Sequence, residues 1–147
     1  MRSGLRSPVA TIRAIFFVQG LCIGGFFARL GEMQLGMHAG PVELGLALLG
    51  FDVGTFLMLP FAGRILAALG PRRTMLYGLP LFTIAAALPG LAPNPYVFFV
   101  LAVCIAAGFT VCGIASNVEA DRVEHGVGRR IMSSCHGLWS LGFSSPR

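Results

Sequence analysis

Four long apolar stretches, at about 14–30, 44–62, 74–91 and 96–116, alternate along the chain with short polar gaps, and a fifth apolar segment lies at 131–143. A helix needs roughly 20 apolar residues to cross the roughly 30 Å hydrocarbon core of a bilayer. The uncharged part of the first stretch, 14–28, makes only about 22 Å of helix, but Arg13 and Arg29 at its ends lengthen it by reaching to the interfaces. The second stretch lies between Glu43 and Arg64 and contains one acid, Asp52. The third carries Pro80 and Pro89, which neighbouring helices in a bundle tolerate. The turn Ala92-Pro93-Asn94-Pro95 reverses the chain before the fourth and longest clean run. The segment 131–143 is too brief to span, and Ser144, Ser145 and the helix-breaking Pro146 follow it. The pattern predicts an all-α membrane protein with four transmembrane helices plus the start of a fifth, in a single transmembrane domain over 1–147.

The arginines are sorted among the gaps. Arg2, Arg6 and Arg13 precede the first stretch, Arg64, Arg72 and Arg73 follow the second, and Arg122, Arg129 and Arg130 follow the fourth. The intervening gaps carry Arg29 alone and none. Positively charged loops stay on the cytoplasmic side. The expected orientation therefore has the N-terminus and the loops at 63–73 and 117–130 inside, most simply in a bacterial inner membrane. A basic segment before an apolar one also has the outline of a secretory signal. However, no small-x-small cleavage site follows 14–28, and more apolar stretches do, so an uncleaved first helix is expected.

Composition narrows the classes. Charged residues are only 12% of the chain and apolar ones 55%, whereas an average soluble domain is about a quarter charged. The net charge of +5 comes without a single lysine, a dense basic run or a basic helix with interleaved aromatics, which argues against nucleic acid. The partner expected for this loop charge is the anionic headgroup layer of the lipid bilayer. Cys22, Cys104, Cys112 and Cys135 form no CxxC pair, so no metal site is expected, and three of them read as small hydrophobes in apolar runs. Gly20 with Gly24, and Gly50 with Gly54, form GxxxG pairs that let helices approach closely in lipid, with no particular partner implied.

Two polar residues interrupt apolar stretches. Asp52 falls near mid-membrane by its distance from Glu43 and Arg64, and an ionised carboxylate there costs at least a few kcal/mol unless it meets a polar cavity or is protonated. It is expected to carry a proton or touch substrate; the competing reading has it meeting water near a mouth. Gln19 either contacts substrate or bonds across to a neighbouring helix, the second being the more usual role.

The segment Gly63-Arg64-Ile65-Leu66-Ala67-Ala68-Leu69-Gly70-Pro71-Arg72-Arg73 resembles the inner loop between helices two and three of the major facilitator superfamily. Gly63, Gly70, Arg72 and Arg73 match that family's pattern. Ala67 stands where the family has an acid that locks the inner gate, Ala68 where it has a base, and Pro71 replaces a further basic residue. Asn117, Glu124, Gly128, Arg129 and the run Met132-Ser133-Ser134-Cys135-His136-Gly137-Leu138-Trp139-Ser140-Leu141-Gly142 are similar to the exit of helix four and the entry of helix five in fucose-permease-like members. Arg130 stands where a proline is common there. His136 and Trp139 fit equally a transport-linked role and an interfacial anchor.

The resemblance implies the N-terminal part of a secondary transporter of a small solute, usually driven by protons, with Asp52, Gln19, Asn117 and His136 as pathway candidates. Gly63, Arg64, Gly70, Arg72 and Arg73 are then the gating-loop candidates. Such transporters bind substrate between two halves that rock about it. A missing C-terminal half, or another copy of the chain, is therefore an expected partner, and the chain alone is expected not to transport. No cofactor is implied. The alternative is a small four-helix membrane protein acting by oligomeric assembly as scaffold or subunit. An enzyme is the least expected class, because Cys135, His136 and Ser140 show no inferable triad and no phosphate-cradling glycine loop is present.

Overall fold

The computed structural model of the chain describes residues 8–145; Arg2, Arg6, Pro146 and Arg147 lie outside the described residues. Its helices are α1 (Pro8–Ala28), α2 (Leu30–Gly36), α3 (Pro41–Leu69), α4 (Pro71–Ala87), α5 (Pro95–Val127) and α6 (Met132–Phe143), with a 3-10 turn at Leu88–Leu91. No strand occurs among the described residues. The α1, α3 and α5 helices, and α4 with its 3-10 turn, are each long and apolar enough to cross a membrane. The molecule is an all-α membrane helix bundle.

The helices are longer than their apolar stretches, and two expected loops turn out to be helical. The segment 63–73 is not a loop, because α3 continues to Leu69 and only Gly70 separates it from α4. Ile65 to Leu69 carry no charge and suit a helix, so the break waits for Gly70, whose φ of 75° needs no Cβ, and Pro71 then fits the first turn of α4. The polar segment 117–130 is likewise mostly helix: α5 runs on to Val127 and ends at Gly128, with φ 65°. At 33 residues α5 is about 50 Å long, against roughly 30 Å of hydrocarbon, so its charged last third projects beyond the core. Polarity marked the edge of the membrane there, not the end of the helix. The gap after the first stretch also contains a helix, α2.

The α5 helix is the hub, packing against α3, α4, α1 and α6. Two pairings rest on glycine. A Cβ placed on Gly50 or Gly54 of α3 would collide with the carbonyl oxygen of Phe99 or Val103 of α5. A Cβ on Gly20 or Gly24 of α1 would strike the carbonyl of Trp139 or Phe143 of α6, and one on Gly142 would strike Phe17. Both GxxxG pairs thus have definite partners. In each seam residue numbers rise together along the two helices, so α3 runs parallel to α5 and α1 parallel to α6. By contrast, α1 and α5 are antiparallel, as Gln19 bonds toward Cys112 while Phe26 stacks on Phe98 with centroids 6.0 Å apart.

Strictly alternating traverses follow from these directions. The start of α1, the α3–α4 junction and the α5–α6 junction lie at one end of the bundle. That end collects Arg13, Arg64, Arg72, Arg73, Arg122, Arg129 and Arg130, and we call it the basic end. The far half of the bundle is filled by a phenylalanine cluster, in which Phe51 lies 6.4 Å from Phe26 and 6.1 Å from Phe109.

Polar bonds fasten α6 at the basic end. The Arg13 guanidinium donates to the Ser134 hydroxyl at 2.8 and 3.0 Å. The Glu124 carboxylate accepts the N–H groups of Ile131 and Met132 at 2.7 and 2.9 Å, capping the first turn of α6. Glu124 lies on the projecting part of α5, outside the membrane-spanning part, and these two N–H bonds hold its carboxyl below the ordinary glutamate range.

Two outcomes are expected. Gly54→Ala should cost about 1–3 kcal/mol by overpacking, whereas Gly25→Ala meets open space and should be neutral or gain up to about 1 kcal/mol. Thermal unfolding of the detergent-purified chain, followed by helical circular dichroism, compares them; equal midpoints would contradict a glycine seam. For Glu124 the sign follows from its lowered pKa: the cap stabilises the fold above the unfolded-state value, and that contribution is lost as pH falls through the folded value. The gap in midpoint between the wild type and Glu124→Gln should therefore be present at neutral pH and close on acidification. A gap independent of pH would count against the cap.

Candidate functional site

Asp52 lies on α3, the helix least covered by the rest of the bundle. Its neighbours Gly50 and Gly54 face α5, and the helical turn of about 100° per residue puts Asp52 on the far side of that seam. It is exposed, together with Leu49, Val53 and Phe56. Among the described residues no side chain bonds to its carboxylate. Since Gly50 meets Phe99 and Gly54 meets Val103, Asp52 is level with about Leu101 of α5. That is about five residues, or roughly 8 Å, to the far side of the middle of the 96–116 run. The acid is still at hydrocarbon depth, but it stands away from the midplane and away from the basic end.

The other pathway candidates lie nearer the basic end. Gln19 is 2% exposed; its amide donates to the Cys112 carbonyl at 3.4 Å, and its carbonyl oxygen accepts from the Ser116 hydroxyl at 3.4 Å. These are bonds between α1 and α5, the usual use of an amide inside a bundle, worth around 0.6 kcal/mol each on average. Asn117 is exposed, and its side-chain amide donates to the Gly113 carbonyl at 2.8 Å, beside open space at Gly113. His136 is exposed too, and its ring meets Phe16 edge-on at 5.3 Å. Trp139 stacks on Phe143 at 5.4 Å. Asp52 is thus separated from Gln19, which bonds to Cys112 and Ser116, by about 17–22 Å along the bundle axis, measured through the α5 register. The candidates mark different depths of the bundle and do not converge on one pocket.

The gating-loop candidates divide as well. Arg64 lies over the Phe61 ring at 5.9 Å, and Gly63 meets open space. Gly70 makes the turn between α3 and α4. Arg73 is exposed. Arg72 reaches across to α5, where its Nε donates to Glu119 at 2.6 Å; Arg122, one turn along α5, stands 4.0 Å from the same carboxylate. Glu119 is only 6% exposed, and sequence reasoning passed over it. The available signal was weak: an acid three residues before Arg122, just past an apolar run, reads as loop until α5 is known to continue. Ser134, the partner of Arg13, was seen only as part of a serine-rich motif.

Chemically, the arrangement offers an exposed acid at membrane depth, two exposed polar groups toward the basic end, and an ion-paired junction. Among the described residues no three His, Cys, Asp or Glu side chains gather as a metal site would require.

No family model and no solved structure matches the chain. Two curated proteins do. The chain is 29% identical over 143 residues to "Uncharacterized transporter y4wD" of Sinorhizobium fredii, covering 94% of this chain and 37% of that protein. It is 28% identical over 142 residues to an uncharacterized MFS-type transporter of Yersinia pestis, covering 97% of this chain and 37% of that protein. The chain thus spans little more than a third of the length of these relatives. The similarity runs along nearly the whole of this chain, to one protein named a transporter and to another named an MFS-type transporter, and it supports a place in the major facilitator superfamily.

Proposed function

We propose that the chain forms the N-terminal part of a major facilitator transporter, of the fucose-permease-like branch, that carries a small solute across the bacterial inner membrane with protons. The observation that carries this reading is Asp52. An acid exposed on a helix face at hydrocarbon depth costs at least a few kcal/mol against lipid, so that face belongs against a polar cavity. Among the described residues no element forms the other wall, and the chain spans only 37% of the length of its relatives. A second body, rocking against α3, supplies the wall in this reading. Asp52 is then the proton-carrying group of the far half of the pathway, Asn117 and His136 line its basic-end half, and Gln19 holds α1 and α5 in register between them. Gly63, Arg64, Gly70, Arg72 and Arg73 form the inner junction, at which the Arg72–Glu119 pair ties α4 to α5. The basic end is cytoplasmic by the distribution of arginine.

Orientation is tested by single cysteines in a chain whose four native cysteines are replaced. An impermeant thiol reagent added outside should label His38→Cys and Asn94→Cys but spare Ala68→Cys and Gly126→Cys; the reverse pattern would invert the arrangement.

Transport is tested in a chimera joining this chain to the remaining part of the Yersinia pestis relative, with uptake screened across sugars, amines and organic acids. Asp52→Asn is expected to abolish proton-driven uptake while leaving insertion intact, and unchanged uptake would reduce Asp52 to a residue at a water-filled mouth. The short chain reconstituted alone is expected to show no saturable uptake. Saturable, gradient-driven uptake by it would favour a pathway assembled from several copies.

A further inference from the structure

Three donors converge on the backbone carbonyl of Gly113 in α5. The side-chain amide of Asn117 donates to it at 2.8 Å, and the Ser116 hydroxyl lies 3.0 Å from it. Because α5 is helical through both residues, the backbone N–H of Asn117 points at the same oxygen. A carbonyl oxygen has two lone pairs, so the three do not all bond well at once. Ser116 has a second acceptor in reach, the Gln19 Oε1 of α1 at 3.4 Å. Its hydroxyl carries a single proton, which serves one acceptor well at a time.

This choice is made inside the bundle. Ser116 is fully buried and Gln19 is 2% exposed, so neither depends on what lies around the described helices. An acceptor that loses the proton there has no solvent to turn to, which makes the loss felt. With the Asn117 amide on Gly113, that carbonyl is saturated and the hydroxyl proton turns to Gln19. With the amide drawn away, the proton goes to Gly113, the shorter of the two contacts. Gln19 then keeps only the bond that its amide donates to the Cys112 carbonyl at 3.4 Å.

We propose that Ser116 couples Asn117 to Gln19, so that a solute taking the Asn117 amide loosens α1 from α5. Ser116 is a positioning residue in this scheme: it touches no solute and acts through Gln19. Its use in transport rests on the reading of Asn117 as a pathway residue, whereas the coupling rests on the bonds themselves. Two groups at different places on the bundle are thereby joined without sharing a pocket.

The coupling is tested by nuclear magnetic resonance of the detergent-purified chain, labelled with heavy nitrogen at its glutamine side chains. Gln19 and Gln34 are the only glutamines, and Gln34, which donates to the Ala39 carbonyl at 3.2 Å, serves as the control. Asn117→Ala should move the Gln19 amide signal and leave that of Gln34 in place. In a Ser116→Ala background the same change should no longer move it. Ser116→Cys, whose thiol is a weak donor, gives the same reading if Ser116→Ala does not fold by circular dichroism. A Gln19 signal that ignores Asn117→Ala overturns the coupling, and so does one that still responds without the Ser116 hydroxyl. In the chimera described above, Asn117→Ala should raise KM. Ser116→Ala should leave KM in place and lower kcat about threefold, the factor equivalent to one average hydrogen bond between membrane helices. An unchanged kcat in Ser116→Ala overturns the use of the coupling in transport. A wild-type chimera without uptake counts against the transporter reading instead, and the short chain still decides the coupling.

Discussion

The bundle depends on close approach of helix backbones at glycine. In lipid, a leucine gains little by leaving acyl chains for another helix, so apolar side chains alone give no reason for helices to stay together. Backbone contact does, because it brings many atoms into dispersion range and permits weak Cα–H···O contacts to the facing carbonyls. Gly50 and Gly54 do this for α3 on α5, and Gly20, Gly24 and Gly142 do it for α1 and α6. Everything proposed for function hangs on these seams. They fix the face of α3 that carries Asp52, and they set α6, with His136, beside Phe16.

The polar bonds add direction more than strength. Gln19 reaches Cys112 and Ser116, and Arg13 reaches Ser134. Arg72 reaches Glu119, and Glu124 caps α6. All lie in the basic-end half, whereas the far half is closed by phenylalanine rings around Phe51 and Phe26. The far half also carries the Gly50–Phe99 and Gly24–Phe143 backbone contacts and a Cys22–Thr83 contact between α1 and α4, so the two halves differ in their polar side-chain ties and share the glycine seams.

Much of this was legible in the chain. The apolar runs gave the number of crossing helices, and the alternation of arginine between gaps matches their collection at one end. The GxxxG pairs named the packing faces but not their partners, because a glycine spacing specifies that something comes close and not what. Helix ends were read too early for a physical reason. Charge at Asn117 to Arg130 and glycine and proline at Gly70 and Pro71 signal the membrane boundary and the turn, yet α5 continues as a solvated helix past the hydrocarbon. Glu119 was invisible for the same reason, as its pairing with Arg72 exists only if that stretch is helical. The level of Asp52 relative to α5 is not legible along its own helix, since α3 starts further out than α5 and only the inter-helix register relates the two. The gating acid that the family resemblance lacks at Ala67 is not replaced by any acid in that segment; the junction is tied instead through Glu119.

The parallel pairing of α1 with α6 has a consequence for how the protein is made. Parallel neighbours cannot be consecutive crossings, so the two must be brought together across everything between them; Arg13 and Ser134 are 121 positions apart. At roughly 5–20 residues per second of synthesis, α1 waits on the order of ten seconds in the membrane with its glycine face bare. During that interval the face is open to lipid, to the insertion machinery, or to a wrong helix with small residues of its own. The α3–α5 seam closes much sooner, once α5 has entered. Order of synthesis therefore differs from order of packing: α1 is made before α3, yet the α3–α5 seam can close before α1 meets α6.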